Sequence, residues 1–296
     1  MLTRNQFNVL DTIACSEKKL SQRKIADAIG SSVGTVNKIL ADLANQEFIS
    51  DNQITEKGLE ALEPYRVKRA VMIAAGFGSR LVPITLNTPK PLIRVNGKRI
   101  IESALEALVE VGIEEIYIVR GYLGKQFDEL LYKYPTIKFI ENEKYNEANN
   151  ISSIVMAKEH LQNAYIIESD LMVYNKKLIK KYQYSSNYLG IPVEETHDWC
   201  FYTTSNNIIK KVAIGGKDCY QMVGLSYWTE EDGKQLAKDV VEVFNAPGGK
   251  ERYWDQVPVE YCIDNYKVSI RECKQEDIIE IDTFNELKAI DKAYDV

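Results

Sequence analysis

The sequence predicts an α/β protein built on a mostly parallel sheet with helices on both faces, preceded by a small helical domain. Three observations predict it. From about residue 67 onward, short apolar runs alternate with amphipathic helical stretches, the pattern of parallel strands joined by crossover helices. Residues 1–65 instead show three short helical periods, a hairpin signal and a closing helix. Finally, the residues able to do chemistry follow apolar runs, as they must where ligands bind beyond the carboxyl ends of strands.

At 296 residues the chain can hold two domains, and 45% hydrophobic with 27% charged residues is ordinary for a globular protein. No apolar run reaches the length of a membrane span, and MLTRNQFNVLDTIA lacks the shape of a signal peptide, so a cytoplasmic protein is expected. Five scattered cysteines without C-x-x-C spacing and two histidines exclude a zinc site and a disulfide framework. A net charge of −6 argues against wholesale nucleic-acid binding, although one domain can differ from the average.

In residues 1–65, Phe7, Leu10, Ile13 and Ala14 share a helical face. A second helix follows Ser21, with Ile25, Ala28 and Ile29 inward, and stops at Gly30. Ser31 or Ser32 caps a third helix with Val36, Ile39, Leu40 and Leu43 inward. Two extended pieces hinge on Asp51-Asn52, and Thr55 starts a last helix that Pro64 closes. Together, SQRKIADAIGSSVGTVNKILADL and ITEKGLEAL resemble the winged helix-turn-helix of bacterial regulators. That resemblance implies DNA as a candidate partner, with Ser32, Thr35, Asn37 and Lys38 facing the major groove. Charge gives it little support: residues 1–68 carry nine Lys/Arg and nine Asp/Glu. Packing or dimer formation is the alternative role.

Residues 67–296 open on RAVMIAAGFGSRLVPITLNTPKP, Arg69 to Pro91. A buried strand, Ala70 to Ala74, runs into a loop with Gly76, Gly78 and Arg80, followed by Lys90 between two prolines. Two glycines let backbone N–H groups approach a bulky group, and two cations at the same mouth suit a polyphosphate. The third glycine of a dinucleotide fingerprint is missing, since Leu81 stands there, and no Walker Gly-Lys-Ser/Thr follows. The whole pattern, A-A-G-x-G-S-R-L-x-P-x-T-x-x-x-P-K-P, resembles the signature of sugar-phosphate and choline-phosphate nucleotidyltransferases. The resemblance implies a Rossmann-like sheet in which Ala74, Ala75, Gly76, Gly78, Ser79 and Arg80 bind an NTP. It also implies that Lys90, with Arg80, is catalytic and neutralises charge around the phosphorus under attack.

Ile100 to Val111 reads as an amphipathic helix, IYIVR as a strand, Asp128 to Tyr134 as helix and IKFIEN as a strand. Gly121-Tyr122 is either a plain turn or, by resemblance, part of the site for the nucleotide base. Asn149, Asn150, Ser152 and Ser153 crowd a helix start where one cap would suffice. Phosphocholine cytidylyltransferases carry an Asn-Asn pair here, which implies that Asn149 and Asn150 face substrate. The strand Ala164 to Ile167 ends in Glu168-Ser169-Asp170, and a magnesium triphosphate wants hard oxygen ligands there. By resemblance Asp170 is a Mg²⁺ ligand, with Asp255 in KERYWDQVPVEY as its partner. Glu168 shares the face of Asp170 by the two-residue period and is the weaker candidate.

Tyr253 and Trp254, with Trp199 in ETHDWCFY after the strand NYLGIPV, form a candidate cage for a quaternary ammonium, against core or dimer packing as the alternative. Ile151 and Ser152 stand where the choline enzymes carry aromatics, which leaves the amine open. In the family-like ending IIEIDTFNEL, Asp282 reads as a helix cap rather than a ligand. The combined expectation is magnesium-dependent transfer of CMP from CTP to phosphocholine. Alternatives are 2-aminoethylphosphonate or phosphoethanolamine with Asp198 or Glu194 as ammonium partner, a sugar 1-phosphate, or a DNA-binding regulator that senses such a ligand. A homodimer is left open.

Overall fold

The structure is a computed structural model that describes residues 1–16 and 18–295. It divides into two compact units, Met1–Arg66 with Tyr182–Tyr184, and Val67–Lys181 with Ser185–Val296.

In the first unit, helices α1 (Arg4–Ala14), α2 (Gln22–Ile29) and α3 (Val33–Asn45) are capped by Thr3, Ser21 and Ser32, whose side chains accept from backbone N–H groups. Gly30 ends α2 at φ +63°, the left-handed conformation that glycine adopts freely. Strands β1 (Ile49–Ser50) and β2 (Gln53–Ile54) pair antiparallel around Asp51 and Asn52, both at positive φ, and α4 (Glu56–Leu62) follows the Thr55 cap. Phe7, Leu10, Ile25, Val36 and Leu43 fill the core. So does a segment far along the chain. Tyr184 stacks on Tyr65 at 5.4 Å and leans on Phe7, and Tyr182 is buried in the same cluster. The core of this unit therefore reaches beyond its first 65 residues.

The second unit holds β3 (Arg69–Ala74), β4 (Arg94–Val95), β5 (Lys98–Arg99), α5 (Ile100–Glu110), β6 (Glu115–Arg120), β7 (Lys138–Glu141), α6 (Ile151–Met156), β8 (Ala164–Glu168) and β9 (Leu171–Val173). It continues through β10 (Asn187–Thr203), β11 (Ile209–Trp228), α7 (Glu230–Asn245), β12 (Ser269–Glu272), β13 (Ile278–Glu280) and α8 (Phe284–Ile290). Seven strands form the central sheet in the order β12-β10-β11-β8-β3-β6-β7. Strand β3 lies parallel to both neighbours, β6 and β8, and only β11 runs antiparallel to its own. Val71 and Met72 belong to opposite cores, one with α6 and α7 and the other with α5. Burial on both faces explains the unbroken apolar run of β3.

Two elements differ from expectation. Residues 124–132 form a 3₁₀ helix rather than an α-helix. Strand β10 does not stop after NYLGIPV but runs on through Trp199 to Thr203, paired with β11, so Gly215 and Gly216 lie within a strand. Gly215 takes φ +72° beside a register shift, which lets a Gly-Gly pair that reads as a turn sit in a bulged ladder.

Candidate active site

A cleft of about 980 Å³ lies beyond the carboxyl ends of β3 and β8, a size suited to a nucleotide with a small second substrate. Ala74, Gly76, Gly78, Ser79, Arg80 and Lys90 line one end. A side chain at Gly76 would meet nothing within 4 Å, so its backbone faces open space. Gly78 is different. It takes φ +62°, and a Cβ there would come within 3.0 Å of both Lys90 and Thr85. The Thr85 hydroxyl donates to the Gly78 carbonyl at 3.0 Å, fastening the loop against the residue that precedes Lys90 by five positions.

Lys90 is only 8% exposed, and its Nζ donates to Asp170 Oδ2 at 2.9 Å and to Asp282 Oδ1 at 2.8 Å. Burial works against its charge, but Asp170 and Asp282 outweigh burial and raise its pKa, so it stays cationic. Arg80 donates to the same Asp282 oxygen at 2.6 Å from an exposed position. Burial would raise the Asp282 pKa; Lys90 and Arg80 overcome it and hold the carboxyl below its usual range. Asp282 is not the cap of α8. Thr283 is, with its hydroxyl accepting from the Glu286 N–H and the Glu286 carboxylate accepting from the N–H groups of Asp282 and Thr283. A threonine three residues before a glutamate completes that capping box and leaves Asp282 to the cations.

Strand β13 pairs with β9 so that Glu280 faces Leu171, next to Asp170. Ligand oxygens of Glu168, Asp170 and Glu280 consequently gather within 4.8 Å of one another, a hard-oxygen set that suits a divalent cation. Asp170 Oδ1 is buried with no hydrogen-bond partner, an orphaned acceptor turned to the use a cation would give it. Desolvation, then the neighbouring charges of Asp255 and Asp170, push Glu168 well up; desolvation, Asp170 and Asp282 push Glu280 to about 8. Gly224 makes room for Glu168, since a Cβ there would lie 2.7 Å from its Oε2. Asp255, expected beside Asp170 as a metal ligand, is not in this group. Glu280, which carried no sequence signal beyond its place in IIEID, joins Asp170 because β9 and β13 pair.

Asp255 lines the same cleft as Glu168, Asp170, Trp199 and Tyr253, and its charge is the largest that acts on Glu168. It is buried and accepts on Oδ1 from the Tyr188 hydroxyl, and among the described residues it makes no ion pair. Burial raises its pKa to about 6, with the Tyr188 hydrogen bond opposing the rise. The rings of Trp199 and Tyr253 meet edge to face at 6.0 Å, and Tyr253 is 45% exposed. Trp254 does not join them. It is 1% exposed and packs between Tyr188 and Trp228 in the core. The expected three-walled aromatic cage therefore has two walls. Asp198 reaches the cleft and accepts from Gln221 at 3.1 Å, whereas Glu194 is exposed elsewhere.

Asn149 and Asn150 border the cleft, yet their amides are occupied. The Asn149 side chain donates to Glu251 O at 3.3 Å and accepts from the Asn150 N–H, and Asn150 accepts from the Trp254 N–H at 2.9 Å while donating to Glu168 at 3.3 Å. Ser152 and Ser153 accept from buried Asn142. The polar cluster is thus a staple between segments, not a set of caps. Ala75, Gly121 and Tyr122 do not line the cleft. Ala75 O accepts from Tyr122 N–H, and Tyr145 presses on Gly121 where a Cβ would sit at 2.7 Å. Phe77, between the two loop glycines, is 46% exposed and meets Tyr122 and Tyr145 at 5.0 and 5.4 Å, an aromatic group that its lone position in G-F-G did not announce.

The nucleotidyl transferase family matches residues 69–190, and the MarR family matches residues 2–56. The chain is 39% identical to 2-aminoethylphosphonate cytidylyltransferase of Lancefieldella rimae over 228 residues, 76% of this chain and 92% of that protein. It is 31% identical to choline-phosphate cytidylyltransferase of Streptococcus pneumoniae over 225 residues, 76% of this chain and 97% of that one. The solved structure of CTP:phosphocholine cytidylyltransferase from Streptococcus pneumoniae superposes with a TM-score of 0.71 at 30% identity, covering 77% of this chain and 99% of that one.

Proposed function

The chain belongs to the nucleotidyltransferase family as a cytidylyltransferase carrying a MarR-type winged helix, and we propose that it joins CMP from CTP to 2-aminoethylphosphonate. The observation that carries the choice of acceptor is the amine wall: a buried carboxylate, Asp255, without an ion-pair partner, and two aromatic rings where a quaternary ammonium would want more. A primary ammonium brings three N–H donors that need acceptors, and aromatic faces leave them unpaired. Phosphocholine is the second reading, favoured by the Trp199 and Tyr253 pair.

In the reaction a phosphonate oxygen attacks the α-phosphorus of CTP, a P–O bond forms, and the bond to pyrophosphate breaks. The acceptor is already ionised, so no general base is needed. Catalysis is then positioning and charge neutralisation. Gly76 and Gly78 bring backbone donors to the triphosphate. Lys90 and Arg80 exchange their carboxylate partners for phosphate oxygens. Asp170, Glu168 and Glu280 would hold Mg²⁺, which when bound neutralises phosphate charge. Asp255 pairs with the ammonium.

The test is pyrophosphate release with each NTP crossed against 2-aminoethylphosphonate, phosphoethanolamine, phosphocholine and glucose 1-phosphate. CTP with 2-aminoethylphosphonate should give the highest kcat/KM, and phosphocholine should trail by about tenfold to a hundredfold, the size expected from donors left unpaired or paired. A preference for phosphocholine would promote the second reading; turnover of glucose 1-phosphate alone would reject both.

For the winged-helix unit the proposal is duplex DNA bound through α3. Lys18, Arg23, Lys24 and Lys38 are exposed on α2, α3 and the turn before α2 against Asp27 and Asp42 on the same helices, with Lys19 paired to Asp51, which leaves the motif a small positive excess over the neutral average of the unit. Fluorescence anisotropy with a duplex should show affinity that falls steeply with salt; salt-independent or absent binding would reject it.

A further inference from the structure

Asn149 and Asn150 stand where a helix cap belongs, yet Asn150, at the N-cap position of α6, makes no side-chain cap bond. Both residues reach instead to a segment more than a hundred residues along the chain. The Asn149 N–H donates to the Lys250 carbonyl at 2.7 Å and its side chain to the Glu251 carbonyl at 3.3 Å, while the Asn150 side chain accepts from the Trp254 N–H at 2.9 Å. The Asn149 side chain also accepts from the Asn150 N–H at 2.7 Å, which fixes one residue against the other. Behind the pair, α6 is anchored by Ile151 and Ile154, both fully buried in the core that α7 shares.

The segment they hold has little regular structure of its own. Residues 252–255 belong to neither helix nor strand and lie between the 3₁₀ turn Gly249–Glu251 and the helical turn Val257–Tyr261. Yet this stretch brings Tyr253 to the cleft, where its half-exposed ring meets Trp199 edge to face. A ring on an irregular segment, packed on one side only, owes its place to whatever holds its backbone.

We propose that Asn149 and Asn150 are positioning residues for the acceptor substrate: the pair clasps Lys250–Trp254 to the start of α6 and thereby sets where Tyr253 stands in the cleft. Asn150 extends the clasp to the end of β8, since its Nδ2 donates to Glu168 Oε1 at 3.3 Å. Neither asparagine touches the acceptor in this scheme; each acts through the backbone it binds. The role rests on the placement of the acceptor beside Trp199 and Tyr253, and it holds whichever group Asp255 serves.

The test uses the full-length enzyme as wild type, Asn150→Ala and Tyr253→Leu. It reads the KM for 2-aminoethylphosphonate and for phosphocholine, CTP affinity by equilibrium binding, and hydrogen–deuterium exchange of the peptide that contains Trp254. In Asn150→Ala, exchange at Trp254 should speed up and the KM of the preferred acceptor should rise by about three- to tenfold, the worth of a hydrogen bond, while CTP affinity changes little. A higher KM with unchanged exchange would mean that Asn150 touches the acceptor itself, and equal losses for acceptor and CTP would mean a merely structural role. Either result overturns the proposal, as does faster exchange with an unchanged KM. If Tyr253→Leu leaves the acceptor KM where it was, the acceptor lies elsewhere and its placement fails; if Tyr253→Leu raises the KM and Asn150→Ala does not, only the clasp fails. Should Asn150→Ala not fold, Asn149→Ala, which loses the side-chain bond to Glu251, is read in the same way.

Discussion

At the loop end of the cleft, Lys90 and Arg80 are already neutralised by Asp170 and Asp282, whereas at the amine end Asp255 is buried with a neutral phenol as its hydrogen-bond partner. The first arrangement is charged, paired and ready to exchange one anion for another. The second is an uncompensated acceptor that a cation would complete. Ion pairs already made cost little to trade for phosphate contacts, while a desolvated carboxylate gains most from an ammonium that arrives with its donors. On the proposed reading, binding of nucleotide and selection of acceptor fall to separate groups, and substitutions should separate them.

The largest effects belong to the loop end. Asp170→Asn should abolish turnover and, by Mn²⁺ titration, weaken cation binding, while Asp255→Asn should leave cation binding intact. Loss of cation binding in Asp255→Asn would restore that residue to the metal site. Lys90→Ala should lower kcat by a hundredfold or more, on the order of the ~3 kcal/mol that one charge-stabilising group supplies, with a smaller change in CTP affinity measured by equilibrium binding. Near-normal kcat would remove Lys90 from the chemistry.

At the amine end the expected change is in KM. Asp255→Asn should raise KM for 2-aminoethylphosphonate by about tenfold to a hundredfold, since it takes a charge from the ammonium's partner. The pH dependence has a definite sign. If the ionised form of Asp255 holds the amine as proposed, then with its pKa raised to about 6 the acceptor KM should rise as pH falls through that value. Lys90 is raised and Asp282 is lowered, so their pair keeps its charge over the same range and the KM for CTP should change less. Parallel rises in both KM values would erase the distinction between the two ends.

The smallest effect on chemistry should come from deleting residues 1–65, which carry none of the cleft residues. kcat is expected to stay within a few-fold of the full chain. Tyr182 and Tyr184 lose the partners that bury them, however, so the truncated protein should melt earlier by differential scanning fluorimetry. Loss of activity in a folded truncation would give the winged-helix unit a catalytic role.

The same contrast decides what could be read from sequence. Gly76, Gly78, Arg80 and Lys90 lie within fifteen residues, and the motif spacing itself brings them together with β3. The caps at Ser21, Ser32 and Thr55 are local as well. Glu280 and Asp282 reach Asp170 through the antiparallel pairing of β9 with β13, more than a hundred residues apart, which no local pattern encodes. Of the adjacent Trp254 and Asp255 only Asp255 lines the cleft, and a segment without helical or strand period gives no hint of which does. Tyr188 looks like any other buried strand residue until Asp255 is found at its hydroxyl.

The central claim is that the buried carboxylate at the amine end selects a primary ammonium, and a competition tests it most directly. CTP, Mg²⁺ and equal amounts of 2-aminoethylphosphonate and phosphocholine are given to the wild-type enzyme, and the initial products are counted by phosphorus NMR, which separates phosphonate from phosphate. The CMP ester of 2-aminoethylphosphonate should exceed CDP-choline by about tenfold or more. CDP-choline in excess would contradict it.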